Sequence, residues 1–227
     1  MTTEDFIIEL FIRIDDGMKG MRKHSQANLY PSEIVTLGVL FSLKGVGNRA
    51  FYRSLQRAWL QWFPKLPERT RLFRLFKVHR AWTERFLAAP TVLGVVDSYG
   101  VELLHPCREA RSDKQIGKKG YSNRGRIVGR NVCFLLNQKG LVCGWVCAPP
   151  NVHDAFFHLL IQGFEDQMLV LADHGFYSKK DNPKNLKICP PKTWNVRMIV
   201  ETMLSMLTTV CHFKHIAHRT WEYFKAR

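Results

Sequence analysis

The hydrophobic pattern of the chain changes at Pro90, and this change constrains the fold more than any other feature of the sequence. Before Pro90, apolar residues recur at spacings of three and four, as amphipathic helices require. After it, they come in short, β-branched runs that are typical of buried strands. The pattern predicts an all-helical N-terminal region, residues 1–90, followed by an α/β domain with a mixed sheet flanked by helices, residues 91–227.

Four helices are expected in the first region, at residues 5–14, 31–43, 48–63 and 67–88. The last of them has its apolar residues on one side, and its basic residues lie mainly on the other side: Arg71, Arg74, Lys77, Arg80 and Arg85. Such a basic face is either solvated or turned toward DNA, and the two interpretations have even weight here. We expect a small helical bundle in this region.

The second region has runs with strand character at residues 91–97, 127–136, 141–148, 168–173 and 186–189. Residues 137–140, Asn-Gln-Lys-Gly, suit a hairpin turn between the second and third runs. Helical patterns are found at residues 154–164 and 194–210. Strands and helices in this order predict a mixed sheet that is covered by helices.

The charge distribution indicates a polyanionic partner. Lys and Arg exceed Asp and Glu by 15, but residues 91–104 and 131–173 are net acidic, while residues 105–130 carry a net charge of +6. Lys and Arg gain affinity for phosphate by releasing counterions, so a basic chain with an acidic centre suggests a nucleic-acid surface around a carboxylate site. Solvated basic faces that bind nothing specific are the alternative.

The composition excludes several classes of protein. The longest apolar stretch, residues 34–43, is too short to cross a bilayer, which takes roughly 20 residues. The first residues lack the basic segment and the cleavage site of a secretory signal, and the six cysteines contain no C-x-x-C pair. We expect a cytoplasmic protein with reduced thiols and no membrane partner.

Three carboxylates stand out by their positions. Asp97 and Asp173 each end a predicted strand, and Glu201 lies beside the apolar side of the last predicted helix, one turn after Arg197. Each has a plain alternative, because polar residues often end strands, and an Arg–Glu pair at this spacing stabilises a helix by a few tenths of a kcal/mol. If the sheet brings the strand ends together beside the helix, the three acids would repel one another and favour divalent cations. A pair of Mg²⁺ or Mn²⁺ ions would support phosphodiester cleavage.

The local motifs resemble those of a known family. They are VVDS (95–98), the basic segment 108–130, LADHGFY (171–177) and RMIVETMLS (197–205), with YPSEI (30–34) and WFPKLP (62–67) upstream. The order strand-Asp, hairpin, helix, strand-Asp and Glu on a helix is similar to that of the ribonuclease H-like DDE transposases and retroviral integrases. The chain resembles the small bacterial insertion-sequence transposases most closely, over roughly residues 30–210.

The resemblance implies a set of site residues. Asp97, Asp173 and Glu201 would be the catalytic residues and would bind two Mg²⁺ or Mn²⁺ ions. Arg197 would orient Glu201 or contact a DNA phosphate, and Trp194 would offer a ring for stacking. The residues implied in DNA binding are Arg108, Arg111, Lys114, Lys118, Lys119, Arg124, Arg126 and Arg130.

The implied enzyme is a metal-dependent transposase that cuts and joins double-stranded DNA at transposon ends, with the helical region binding those ends. Transposases of this kind usually act as symmetric homodimers on paired ends. Two alternatives share parts of the pattern. A nuclease or junction resolvase of the same fold would cut structured DNA without end specificity, and a non-catalytic remnant would bind DNA without cutting it.

Overall fold

The chain forms two units that are not contiguous in sequence. The computed structural model describes residues 2–105, 107, 109, 116–122, 125–190, 197–213 and 220–227. Unit 1 contains the residues up to Phe86 together with Val210–His212 and Trp221–Arg227, and unit 2 contains Leu87–Thr209 with Phe213 and Thr220. The expected boundary at residue 90 lies near this junction, but it assigns the C-terminal residues of unit 1 to the other domain. Hydrophobic periodicity carries no information on which unit a terminal segment joins.

Unit 1 is helical, as its periodicity predicts. Its described helices are α1 (Thr3–Gly17), α2 (Pro31–Lys44), α3 (Asn48–Ala58), α4 (Arg69–Val78), the 3-10 helix Arg80–Phe86 and α7 (Trp221–Lys225). Thr2 and Asp5 form a capping box at the start of α1, and Pro31 occupies the first turn of α2. These local signals set where the helices begin.

The helix predicted at residues 67–88 divides into α4 and the 3-10 helix. Arg80 donates from Nη1 to the carbonyl of Lys77 at 3.3 Å, which satisfies one of the carbonyls that a helix end leaves open. The same guanidinium pairs with Glu222 on α7 at 2.6 Å. The helix predicted at residues 48–63 is also too long, since α3 covers only its first part. Arg80 and Glu222 are 142 residues apart in the chain, so the local pattern does not contain this contact.

Aromatic rings fill the core of unit 1. The Phe41 ring lies 5.1 Å from the rings of both Phe51 and Phe73, and all three side chains are buried. Ring contacts of this kind add about 0.5–1.5 kcal/mol each beyond the buried area. Arg227 joins this core, because its guanidinium lies over the Phe41 ring at 4.7 Å and Ser42 Oγ donates to its carbonyl at 2.7 Å.

The described residues of unit 2 form a six-stranded mixed sheet. Its strands are β1 (Leu93–Leu104), β2 (Lys118–Ser122), β3 (Gly125–Asn137), β4 (Val142–Ala148), β5 (Leu169–Ala172) and β6 (Leu186–Ile188). β3 pairs antiparallel with β1 on one side, and with β2 and β4 along different parts of its other side. β5 lies parallel to β1, and β6 lies parallel to β5. The predicted α/β class with a mixed sheet is therefore confirmed.

Helices pack against this sheet. The described ones are the 3-10 helix Asp154–Phe157, which continues into α5 (His158–Gln162), the 3-10 helix His174–Phe176 and α6 (Arg197–Thr209). Phe157, Ile161 and Phe176 are buried in one core cluster with residues of β1, β3 and β5. Among the described residues, no helix combines the length and the apolar composition that a membrane span needs.

Two strands differ from the expected ones. The strand predicted at residues 91–97 continues to Leu104, because β3 pairs with it along that whole length. β2 lies in the basic segment 108–130 and has no counterpart among the predicted strands. It is a strand because β3 offers it an antiparallel partner, from Lys118 beside Gly129 to Ser122 beside Gly125. Strand formation depends on such partners more than on local preference.

The hairpin turn predicted at residues 137–140 is confirmed. Asn137 Oδ1 accepts hydrogen bonds from the N–H groups of Lys139 and Leu141, both at 3.0 Å. Gly140 has a φ of +75°, a conformation that glycine adopts without steric cost. The turn sets the antiparallel register of β3 and β4.

Candidate functional site

Asp97 and Asp173 occupy matching positions next to neighbouring strands. β1 and β5 are parallel, and Val95 on β1 is the register partner of Leu171 on β5. Asp97 and Asp173 each stand two residues further along the chain, so both belong to the same edge of the parallel pair. Adjacent strands are about 4.8 Å apart, a separation at which two carboxylates can share a cation.

The short segment after β5 holds the Asp173 carboxylate. Asp173 caps the 3-10 helix His174–Phe176, and its Oδ1 accepts a hydrogen bond from the N–H of Gly175 at 2.9 Å. A Cβ on Gly175 would lie 3.0 Å from Asp173 Oδ1 and 2.9 Å from Asp154 Oδ2. The D-x-G spacing of residues 173–175 therefore has a local reason, because any residue larger than glycine would push against two carboxylates.

Asp154 is a further carboxylate at this edge, and sequence reasoning missed it. Its Oδ1 accepts a hydrogen bond at 2.6 Å from Oγ of Ser98, the residue that follows Asp97. Its Oδ2 faces Gly175, where the Asp173 carboxylate also lies. In the sequence, Asp154 stands at the start of a predicted helix, where acidic residues are common because they suit the helix dipole. Nothing in its spacing separates it from an ordinary first-turn acid.

Burial and neighbouring carboxylates raise the pKa values of two groups near this edge. Burial raises the pKa of the Asp154 carboxyl above its ordinary value of 3.8, the hydrogen bond from Ser98 opposes this shift, and the charge of Asp173 adds to it. Burial also raises the pKa of the Cys133 thiol, and the negative charges of Asp154 and Asp97 raise it further. The negative charge of Asp173 therefore acts on Asp154, and the charges of Asp154 and Asp97 act on the Cys133 thiol. A divalent cation would stabilise such a group of negative charges.

Glu201 lies on α6, which packs against β1. The helix buries its apolar side, and the Glu201 side chain is exposed. Phe213, which follows α6, contacts the ring of Phe134 at 5.9 Å between centroids, and Phe134 is the register partner of Asp97. Register partners in an antiparallel pair share one face of the sheet, so Phe213 lies on the face that carries Asp97.

The donor set of the site consists of carboxylates. Asp97 and Asp173 provide oxygens at the edge of the parallel pair, and Asp154 lies beside Asp173. Such a set fits Mg²⁺ or Mn²⁺ better than zinc, which takes nitrogen and sulfur ligands more readily. Among the described residues, no three His, Cys, Asp or Glu side chains are close enough to hold a metal ion together. The assignment of Asp97, Asp173 and Glu201 as shared metal ligands stays a prediction.

The basic residues expected to contact DNA are described in part. Lys118 and Lys119 lie exposed on β2, and Lys119 Nζ pairs with Glu109 Oε2 at 2.5 Å. Arg126 is exposed on β3, and Arg130 is half-buried there. Outside the described part of the chain lie Arg108, Arg111, Lys114, Arg124, Trp194 and the side chain of Arg197.

Replacing Asp154 with Asn is expected to remove a pH-dependent loss of stability. The pKa of the Asp154 carboxyl is raised above 3.8, so the folded state holds this proton more tightly than the unfolded state. The contribution of Asp154 to stability therefore falls as the pH rises above 3.8 and its carboxyl ionises. The Asn variant keeps an acceptor for Ser98 and lacks this contribution, so relative to the unsubstituted chain its melting temperature should increase as the pH rises over that range.

The melting curves for this comparison are recorded in EDTA, so that no divalent cation contributes. Asp166→Asn removes a carboxylate that is exposed and serves as the matched control. Parallel pH profiles for Asp154→Asn and the unsubstituted chain would contradict the assigned cause of the raised pKa.

Comparison with known proteins does not assign the chain to a family. No protein-family model matches it, and no curated protein matches it. Its function is therefore inferred from the geometry and chemistry of its own residues.

Proposed function

We propose that the chain is a metal-dependent DDE transposase, which cuts and joins double-stranded DNA at the ends of an insertion sequence. The observation that carries this proposal is the parallel register of β1 and β5, which aligns Asp97 with Asp173. A carboxylate pair of this kind supports the binding of the divalent cations on which phosphodiester cleavage and strand transfer depend.

Each acidic residue has a role in the proposed site. Asp97 and Asp173 would hold Mg²⁺ or Mn²⁺, and Glu201 would complete the ligand set from α6. The bound cations would lower the pKa of an attacking water or 3′-hydroxyl and stabilise the leaving oxygen. The N–H of Gly175 donates to Asp173 at 2.9 Å, and a carboxylate that is held in this way is already oriented when the cation arrives.

A ribonuclease H-like fold for unit 2 belongs to the same proposal. β1 with Asp97, the β3–β4 hairpin, α5, β5 followed by Asp173, and α6 with Glu201 occur in the order on which the resemblance depends. β1 joins the antiparallel and parallel parts of the sheet that the described residues form. Asp97 and Asp173 therefore come from elements that are distant in sequence but adjacent in the sheet.

Charge supports DNA as the partner. The exposed Lys118 on β2 and Arg126 on β3 belong to residues 105–130, which carry a net charge of +6. These cations attract phosphate, whereas the acidic edge would repel it until divalent cations neutralise the carboxylates. In this proposal unit 1 binds the transposon ends, and two copies of the chain act together on a pair of ends.

The experiment that tests this function uses the DNA that borders the gene. Duplexes that carry its terminal inverted repeats, a branched duplex and an unrelated duplex are incubated with the full chain and Mg²⁺ or Mn²⁺. Cleavage at the repeat ends alone would support the transposase. Preferential cleavage of the branched duplex would instead identify a nuclease or resolvase, and DNA binding without cation-dependent cleavage would identify a remnant.

A further inference from the structure

Unit 1 contains a pocket that has no part in the carboxylate site. It has a volume of about 160 Å³ and is lined by the segment between α1 and α2, the first turn of α2, α4 and the 3-10 helix that follows. The apolar side chains of Leu29, Ile34 and Leu75 form part of its wall. Every lining residue belongs to unit 1, so the pocket is complete within one folded unit.

The charged groups that line this pocket are cationic. Arg22, Lys23 and Arg71 contribute to the wall, and no described Asp or Glu does. In the part of the chain that the structure describes, no carboxylate forms a salt bridge with these three residues. The Lys23 ammonium lies 4.5 Å from the centre of the Tyr30 ring, which holds it near the pocket. Cations without a protein carboxylate attract anions, and phosphate above all.

Two stacked rings form another part of the wall. The rings of His79 and Trp82 lie 4.0 Å apart between centroids, with an interplanar angle of 11°. Burial lowers the pKa of the His79 imidazole below 6.5, so the ring is neutral at neutral pH. Flat aromatic surfaces of this kind are those on which bases stack in proteins that bind single strands.

We propose that this pocket receives one unpaired base of a DNA strand, stacked beside His79 and Trp82, while Arg22, Lys23 and Arg71 hold the neighbouring phosphates. The volume limits the occupant, because a cavity of about 150 Å³ holds one benzene-sized ring. A single pyrimidine fits this space and a base pair does not. The inference rests on the proposed function, which supplies DNA as the partner of unit 1.

The two parts of the wall favour a ligand that joins a flat ring to phosphate. Inorganic phosphate would leave the stacked rings and the apolar side chains unused, and an apolar peptide would leave three cations unused. A free nucleotide shares the chemistry of a base in DNA. The experiment therefore has to separate these two sources.

The test measures the binding of the full chain to matched duplexes. One is fully paired, one has an extra unpaired thymidine, and one has an abasic residue at the same place. We expect the thymidine duplex to bind about tenfold more tightly than the abasic duplex, since stacking of one base contributes an effect of this size. Thymidine monophosphate in large excess should not displace the thymidine duplex.

Variants locate this effect in the pocket. Ala27 lines the pocket, and Ala27→Phe fills it, so this variant should lose the preference for the unpaired thymidine and keep its affinity for the paired duplex. Arg71→Gln removes a lining cation and should weaken binding of the thymidine duplex about fivefold. Arg53→Gln removes the same charge from the exposed surface of α3 without touching the pocket, and it is the matched control. Thermal melting checks that each variant is folded.

Equal binding of the thymidine and abasic duplexes would overturn the proposal, and so would equal effects of Arg71→Gln and Arg53→Gln. Displacement of the thymidine duplex by the free nucleotide would assign the pocket to a small ligand and would also overturn it. In each of these cases, intact cleavage of the repeat ends would leave the proposed function standing. Failure of the chain to bind any DNA would overturn both. The comparison of Arg71→Gln with Arg53→Gln stays decisive even where Ala27→Phe does not fold.

Discussion

Asp97→Asn and Asp173→Asn are each expected to lower cation-dependent cleavage of the repeat ends about a thousandfold and to leave the fold intact. Each change replaces a carboxylate oxygen with an amide nitrogen, which is a poor ligand for a hard cation. Asp97 is half-buried and Asp173 is exposed. The Asn side chain is about as large as that of Asp, so neither substitution disturbs the core. The factor corresponds to about 4 kcal/mol of lost transition-state stabilisation, which is within what bound cations supply. The initial rate of cleavage measures it.

Asp166→Asn is the control for this result, because Asp166 is an exposed carboxylate in the turn before β5 and its replacement changes the net charge equally. It should cleave at the unsubstituted rate. A near-normal rate for either Asp97→Asn or Asp173→Asn would remove that residue from the site. Glu201→Gln and Asp154→Asn in the same assay identify the carboxylate that completes the ligand set, and we expect the larger loss for Glu201→Gln.

Gly129→Ala is expected to destabilise the chain by about 3 kcal/mol or more, since forcing atoms into a packed interior has costs of this size. Gly129 is buried on β3 and pairs with Glu102 on β1 and with Lys118 on β2. A Cβ at this position would overlap the carbonyl oxygen of Val101 and lie 2.9 Å from its carbonyl carbon. Backbone atoms of a paired strand cannot rotate away, so β1 and β3 would have to separate. Thermal or urea unfolding measures the loss.

Gly38→Ala is expected to stabilise the chain, although it adds the same methyl group as Gly129→Ala. Gly38 lies inside α2, and a Cβ there would meet only the Phe76 ring, at an ordinary contact distance of 3.9 Å. Alanine is favoured over glycine within a helix, so we expect a gain of about 0.5–1 kcal/mol. If Gly129→Ala were as stable as Gly38→Ala, the close approach of β1 and β3 would be wrong.

Local patterns were sufficient for much of the fold. Buried β-branched runs located β1, β3, β4 and β5, and the period of apolar residues located α2 and α6, because side-chain direction repeats every two residues in a strand and every 3.6 in a helix. The turn at residues 137–140 was also predictable, since Asn137 and Gly140 provide its side-chain acceptor and its left-handed residue.

The candidate site was only partly predictable. Asp97 and Asp173 stand out because they follow buried apolar runs, and the parallel register then aligns them. Asp154 reaches the same edge through its contact with Ser98, which depends on how the helix after β4 packs on the sheet. No spacing in the sequence encodes such a contact. β2 was not predicted for the same reason, since it forms a strand by pairing with β3.

The packing of unit 1 also has a consequence for biosynthesis. Arg80 pairs with Glu222, and the Phe41 ring lies against Arg227, so residues that follow the sheet in sequence complete the helical unit. A ribosome releases the helices that precede the sheet before it releases these partners. The helical unit therefore reaches its mature packing only after translation has passed through the whole sheet. Nascent chains would carry a translated but incompletely packed helical unit until Glu222 and Arg227 have left the ribosome.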